Sequence, residues 1–124
     1  MLNKTIVMGR LTKDPELRRT QSDVPFVSFC IACDRDYQPG GAEKKTDFFN
    51  CTAWRGTAEF ISTHFHKGKM IVVCGRFEND EYKDKDGNKR VSTVLKCESV
   101  YFADSKGKDD RAPDVEVDDE NFPF

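Results

Sequence analysis

The segment 46–54, TDFFNCTAW, carries the side chains best suited to chemistry with a ligand. Successive residues of an extended strand alternate between faces, so Asp47, Phe49, Cys51 and Ala53 share one side while Phe48, Asn50, Thr52 and Trp54 share the other. Apart from Asp47, the first set is small or apolar and suits an interior. The second set mixes polar residues with two large rings, one of them the sole tryptophan. It predicts that Phe48 and Trp54 stand outside, roughly 20 Å apart at about 3.3 Å per residue. Two further rings occur where a core would not recruit them. Tyr37 lies beside Arg35 in a Pro-Gly-Gly loop, and Tyr82 sits on the rising arm of a hairpin turning at Asp86-Gly87. Arg10, Arg35, Arg55, Arg76, Lys89 and Arg90 are interleaved with these aromatics. Flat rings that stack on successive bases, with cations to follow the phosphates, are what sequence-independent binding of an unpaired nucleic-acid strand requires. A stacked base contributes about 1–3 kcal/mol, more than the roughly 0–1 kcal/mol of an exposed ion pair. The plainer alternative, that each ring covers the edge of a core or a subunit interface, serves for one aromatic taken singly but leaves the interleaved cations without a purpose.

The elements that must position these residues are mostly strands. Period-two alternation marks residues 2–11, 25–34, 46–54, 69–78 and 90–102, separated by stretches rich in Gly, Pro, Asp and Lys. In the second of them Val27, Phe29, Ile31 and Cys33 form the inward set. Only residues 56–66 have helical spacing, with Ala58, Ile61 and Phe65 on one face, Thr57 as the expected cap and Lys67-Gly68 as the stop. The order βββαββ predicts an all-β fold with a little helix: a five-stranded OB-fold, a small Greek-key barrel with one helix between strands three and four.

Length and charge set the boundaries. The 124 residues allow one domain with a modest core, burying roughly two-thirds of the unfolded surface, plus a tail. Residues 1–103 carry 17 Lys and Arg against 14 Asp and Glu, whereas residues 104–124 carry 3 against 8. A mildly basic body therefore precedes an acidic tail, and the tail is too polar to offset the entropy of ordering it, so 104–117 reads as a disordered linker. The last seven residues, DDENFPF, end on two phenylalanines that folding gains little by leaving in water. No apolar run approaches the 18 or so residues that span a bilayer, and MLNKTIVMGR has no signal-peptide pattern, so a cytosolic location is expected. Five cysteines, an odd number, suit small buried hydrophobes of a reducing compartment better than a disulfide framework. Cys30 and Cys33 have half-zinc-site spacing, yet their odd offset in a strand points them to opposite faces, and no second close pair completes four ligands. His64 and His66 suit solvated or capping roles near a helix end. No metal, cofactor or catalytic residue is expected.

The chain resembles the bacterial single-stranded DNA-binding protein family over essentially its whole length. NKTIVMGRLTKDPELR is similar to the family's first strand and following loop, through Asn3-Lys4, Gly9, Leu11, Asp14-Pro15-Glu16 and Arg18. TDF at 46–48 with Trp54 resembles its third strand, and KGKMIVVCGR its fourth. The resemblance implies that Tyr37, Phe48, Trp54 and Tyr82 occupy base-stacking positions and that Arg18 and Lys67 match basic positions near the DNA path. Tyr, Phe and Tyr stand where Trp is common, NDE before Tyr82 is acidic where basic residues are usual, and the linker is short. The resemblance further implies a homotetramer whose first strands pair between subunits, work in replication, recombination and repair, and a tail whose residues 118–124 dock on partner proteins. The chemistry of that tip agrees. Phe124 can enter an apolar pocket with Phe122 as a second anchor, Pro123 lowers the ordering cost, and Asp118, Asp119 and Glu120 can meet a basic rim. Two rival readings are an OB-fold RNA-binding or translation module, which would share the aromatic face without needing the Pro-Phe hook, and a nuclease. The nuclease would need a clustered set of carboxylates for a metal with a nearby arginine, and its candidates, Asp34, Asp36 and Glu43, sit in a loop with no evident convergence.

Overall fold

A computed structural model describes residues 1–36, 40 and 44–104. Its elements are β1 (Thr5–Leu11), β2 (Glu16–Arg19), β3 (Pro25–Asp34), β4 (Thr46–Trp54), α1 (Arg55–His64), β5 (Met70–Lys83) and β6 (Lys89–Phe102). The strands hydrogen-bond in the order β1-β5-β6-β4-β3-β2, and β1 pairs with β3 as well. That extra pairing closes β1, β5, β6, β4 and β3 into a barrel, the OB-fold expected from the spacing of the strands. Closure rests on two short seams. One is Arg10↔Ala32 and Leu11↔Ile31 between β1 and β3; the other is the parallel pair Cys51↔Leu95 and Thr52↔Lys96 between β4 and β6.

The alternation that predicts the strands is visible in their burial. Val27, Phe29 and Ile31 of β3 and Cys51 and Ala53 of β4 are buried, and Phe49 packs against them. Ala58, Ile61 and Phe65 plug one end of the barrel, as the helical spacing predicts. Gly9 lets β1 cross β3 closely, since a Cβ there would stand 2.6 Å from the Ala32 carbonyl oxygen.

Several expectations need correction. A sixth strand, β2, extends β3 in the register Glu16↔Ser28 to Arg19↔Pro25. All four of its residues are exposed, so it shows no alternation of polar and apolar residues. The helix starts at Arg55 with Trp54 as N-cap and no side-chain cap hydrogen bond, so Thr57 lies within the helix instead of capping it. The helical region also stops short of residue 66: the N–H of Phe65 donates to the Ile61 carbonyl, and Gly68, at φ +86°, turns the chain towards β5. The β5–β6 hairpin is longer than the period-two signal, because beyond Phe77 both strands leave the core and become mostly polar. Only Cys51 among the cysteines is fully buried. The other four are half-buried and all five are free. The neighbouring Cys97 thiol, reinforced by burial, pushes the Cys51 thiol well above the usual range, so it stays protonated, and its Sγ donates to the Phe49 carbonyl at 3.7 Å.

Candidate nucleic-acid interface

The outward residues of β2, β3 and β4 form cross-strand rows. Arg18, Phe26 and Trp54 are direct neighbours in one row; Glu16, Ser28 and Thr52 form the next, then Cys30 with Asn50, then Ala32 with Phe48. Arg10 of β1 joins the last row through its register with Ala32. Thus two aromatic ends, each with an arginine, flank a polar strip. A groove of about 400 Å³ follows that strip, bounded by Arg18 and Glu16 on the β2 side and Val94 on the β6 side. Phe48 is 64 % exposed and Trp54 43 %, which agrees with the face count on β4.

The hairpin supplies the other flank. Thr52 pairs with Lys96 and Lys96 with Arg76, so alternation along β5 carries Tyr82 to the same side of the sheet. Tyr82 is 51 % exposed and stands opposite Arg90. The loop at the hairpin's tip is fastened by Asp84, whose side chain accepts the Asp86 and Asn88 N–H groups and the Arg90 Nε. The Arg90 bond, followed by the Asn88 N–H, holds the Asp84 carboxyl below its ordinary range. Gly87 takes φ +81° in the turn read from Asp86-Gly87.

The expected cations fall into two groups. Five are exposed but already paired: Arg10 with Asp104 at 3.4 Å, Arg18 with Glu16 at 3.4 Å, Arg35 with Asp47 at 3.0 Å, Arg76 with Glu78 at 2.6 Å, and Arg90 with Asp84 at 2.9 Å. Arg55, Lys67 and Lys89 have no ion-pair partner among the described residues. Arg35 grips Asp47 through both Nε and Nη2, which lowers the Asp47 pKa and raises its own. These pairs are exposed and solvent-screened, so a phosphate can displace the carboxylate at little cost. Arg10, Arg18 and Arg90 lie in rows with the rings, and Arg76 lies in the polar row with Lys96 and Thr52. Arg35 sits at the far end of β3 and Lys67 in the turn after α1, where its N–H donates to Asp14 Oδ1 at 2.7 Å.

Tyr37 and Glu43 lie outside the described residues, as do the tail residues Asp118, Asp119, Glu120, Phe122, Pro123 and Phe124. Asp34, a candidate carboxylate for metal chemistry, is held by Thr46 and Lys44, which lower its pKa. Among the described residues no three His, Cys, Asp or Glu side chains converge as a metal site.

Two residues of the face escape a sequence reading centred on the core. Phe26 is outward by the same alternation that turns Val27 and Phe29 inward, and its ring lies 5.2 Å from that of Trp54, inclined by 29°. Lys96 joins the face only through the parallel β4–β6 register, which no local pattern signals, and its Nζ meets Asp80 at 2.9 Å.

Comparison with known proteins accords with this face. A family model described as the single-strand binding protein family matches residues 2–103. The chain is similar to "Single-stranded DNA-binding protein 1" of Staphylococcus aureus (strain MSSA476), 37 % identical over 115 residues that cover 93 % of this chain and 74 % of the relative. It is likewise similar to "Single-stranded DNA-binding protein 2" of Listeria monocytogenes, 39 % identical over 106 residues, 86 % of this chain and 66 % of that one.

Proposed function

This chain belongs to the single-strand binding protein family, and on that premise we propose that it binds single-stranded DNA without reading sequence, coating unpaired strands in replication, recombination and repair as a non-enzymatic protein of the cytoplasm. The observation that carries the reading is the pair of exposed rings, Phe48 and Trp54, at the two ends of one outer sheet face, each with an arginine in its row. Paired DNA hides its base faces, so a surface built on stacking selects strands whose bases are free. Tyr82 and Tyr37 extend the stacking path. Arg10, Arg18, Arg35, Arg55, Lys67, Arg76, Lys89 and Arg90 contact phosphates.

The test uses Trp54, the only tryptophan. Oligo-dT should strongly quench its fluorescence and a duplex of equal length should not; equal quenching by both would overturn the reading. Salt should weaken the binding. At about −0.7 in log–log slope per phosphate contacted, the three cations without a partner among the described residues give roughly −2 per protomer and all eight roughly −6, so the slope reports whether the five paired arginines are recruited.

Assembly as a homotetramer is part of the proposal. Ile6, Met8 and Tyr101 are exposed on the outer side of the β1–β5–β6 sheet, with Met8 opposite Val72 and Val72 opposite Tyr101. Beyond the two residues paired with β3, one edge of β1 has no partner strand among the described residues. An apolar stripe beside a free edge is what a second copy would cover.

Residues 1–103 form the binding domain in this reading, 104–117 a linker, and 118–124 the tip that docks on partner proteins. Removing residues 118–124 should leave oligo-dT affinity equal or slightly raised, because an anionic competitor is lost while the aromatic face stays intact. A tenfold drop in a titration of the truncated chain would refute that division of labour.

A further inference from the structure

Trp54 is the last residue of β4, and the chain turns sharply beyond it. Arg55 adopts φ +55°, the left-handed region that costs a non-glycine residue about 1–2 kcal/mol. Gly56 follows with open space around its Cα. Trp54 is also the helix N-cap, yet its side chain makes no capping hydrogen bond. The cap position therefore gives the indole no hydrogen bond to hold it, and β4 has no residue beyond Trp54 to flank it. What does meet it is Phe26, directly across on β3, with centroids at 5.2 Å and planes inclined by 29°. Phe26 is half-buried while Trp54 is exposed, and Arg18 stands on the other side of Phe26 in the same row.

We propose that Phe26 is a positioning residue for DNA binding: its ring backs one side of Trp54, fixes the indole, and leaves the opposite side as a prepared surface for a base. The inference rests on the reading of this face as the single-strand interface, and it adds to that face a ring outside the four read as base-stacking. Offset-stacked rings hold each other beyond what their buried area gives. An indole held in advance loses less freedom when the base arrives, and tighter binding follows from that preorganisation.

The test is Phe26→Val, a β-branched replacement that suits a half-buried strand position, with Phe26→Tyr as the variant that keeps the ring. Thermal unfolding serves as the check that both fold. In the free protein, steady-state anisotropy of Trp54 emission should fall in Phe26→Val and stay unchanged in Phe26→Tyr. With a labelled oligo-dT as reporter, Phe26→Val should weaken binding about 3- to 10-fold, the range expected for losing one aromatic pair. Phe26→Tyr should bind like the parent chain. In a Trp54→Ala background, Phe26→Val should cost less than twofold, because the ring it positions is gone. Unchanged anisotropy in Phe26→Val would overturn the proposal, and so would an equal loss of affinity in both backgrounds, which would make Phe26 a direct DNA contact. If the parent chain failed to bind oligo-dT, the functional reading would fall, while the DNA-free anisotropy would still decide whether Phe26 holds Trp54.

Discussion

Alanine at both Phe48 and Trp54 is expected to weaken binding of oligo-dT by about 2–6 kcal/mol, roughly 30-fold to 20,000-fold. The estimate takes about 1–3 kcal/mol for each lost base stack. The two positions are six residues apart on β4, roughly 20 Å, so they share no packing partner and their effects should add. Neither substitution opens the core. Phe48 is 64 % exposed, and Trp54 packs on Phe26, itself at the surface, so circular dichroism should show a folded barrel. By contrast, Arg18 and Arg90 each exchange one exposed ion pair for another when DNA binds, phosphate for carboxylate, so alanine at either removes little net gain and should cost less than loss of either ring. Titration of a labelled oligo-dT at fixed salt measures the difference. A combined loss below threefold would reduce Phe48 and Trp54 to ordinary surface aromatics and move the interface elsewhere.

That contrast also explains which parts of the face could be read from residue order. Alternation on β3 and β4 is legible because one side of each strand packs into the barrel: Val27, Phe29 and Ile31 point in, so Phe48 and Trp54, aligned with the outward set, point out. The barrel's closure is equally legible in outline, since five apolar strands and one helix have few ways to bury themselves. β2 is not, because its four residues are all exposed and its existence depends on pairing with β3. The pairing of the cations is hidden for a related reason. Arg35 meets Asp47 twelve residues away because β3 and β4 share a register, and Lys96 reaches Asp80 across the hairpin. Sequence shows the arginines as a basic set, whereas the folded face carries nearly as many carboxylates beside them. The start of α1 shows how local backbone can override a plausible cap: Thr57 has the right side chain, but the left-handed turn at Arg55 begins the helix two residues earlier.

The largest effect on stability should come from a single methyl group at Gly75. Between Cys74 and Gly75 the β5–β6 register shifts, from Cys74↔Ser99 to Gly75↔Cys97, so Glu98 is the extra residue of a bulge. A Cβ built at Gly75 would stand 1.9 Å from the Lys96 carbonyl oxygen, 2.9 Å from its carbon and 3.1 Å from the Cys97 Cα. All three are backbone atoms, so no side chain can rotate away, and relief requires β6 to move. Gly75 also pairs with Thr5 at the start of β1, and its neighbour Arg76 faces Lys96 beside the β4 seam. A shift there would loosen the hairpin and the β4–β6 closure together. Overpacking a core typically costs about 1–3 kcal/mol. With rigid backbone on every side, Gly75→Ala belongs at about 3 kcal/mol or above, a large part of the roughly 5–15 kcal/mol that holds a domain folded. Gly56→Ala is the matched control: it lies in the first turn of α1 with nothing within 4 Å of the added methyl, and it should gain up to about 1 kcal/mol from helix propensity. Urea unfolding of the three chains at one protein concentration, held equal because assembly would shift the midpoint, should order them Gly56→Ala, parent, Gly75→Ala. A Gly75→Ala midpoint equal to the parent's would mean that β6 does not press on β5 at the bulge, and the Arg76–Lys96 flank of the binding face would lose its structural basis.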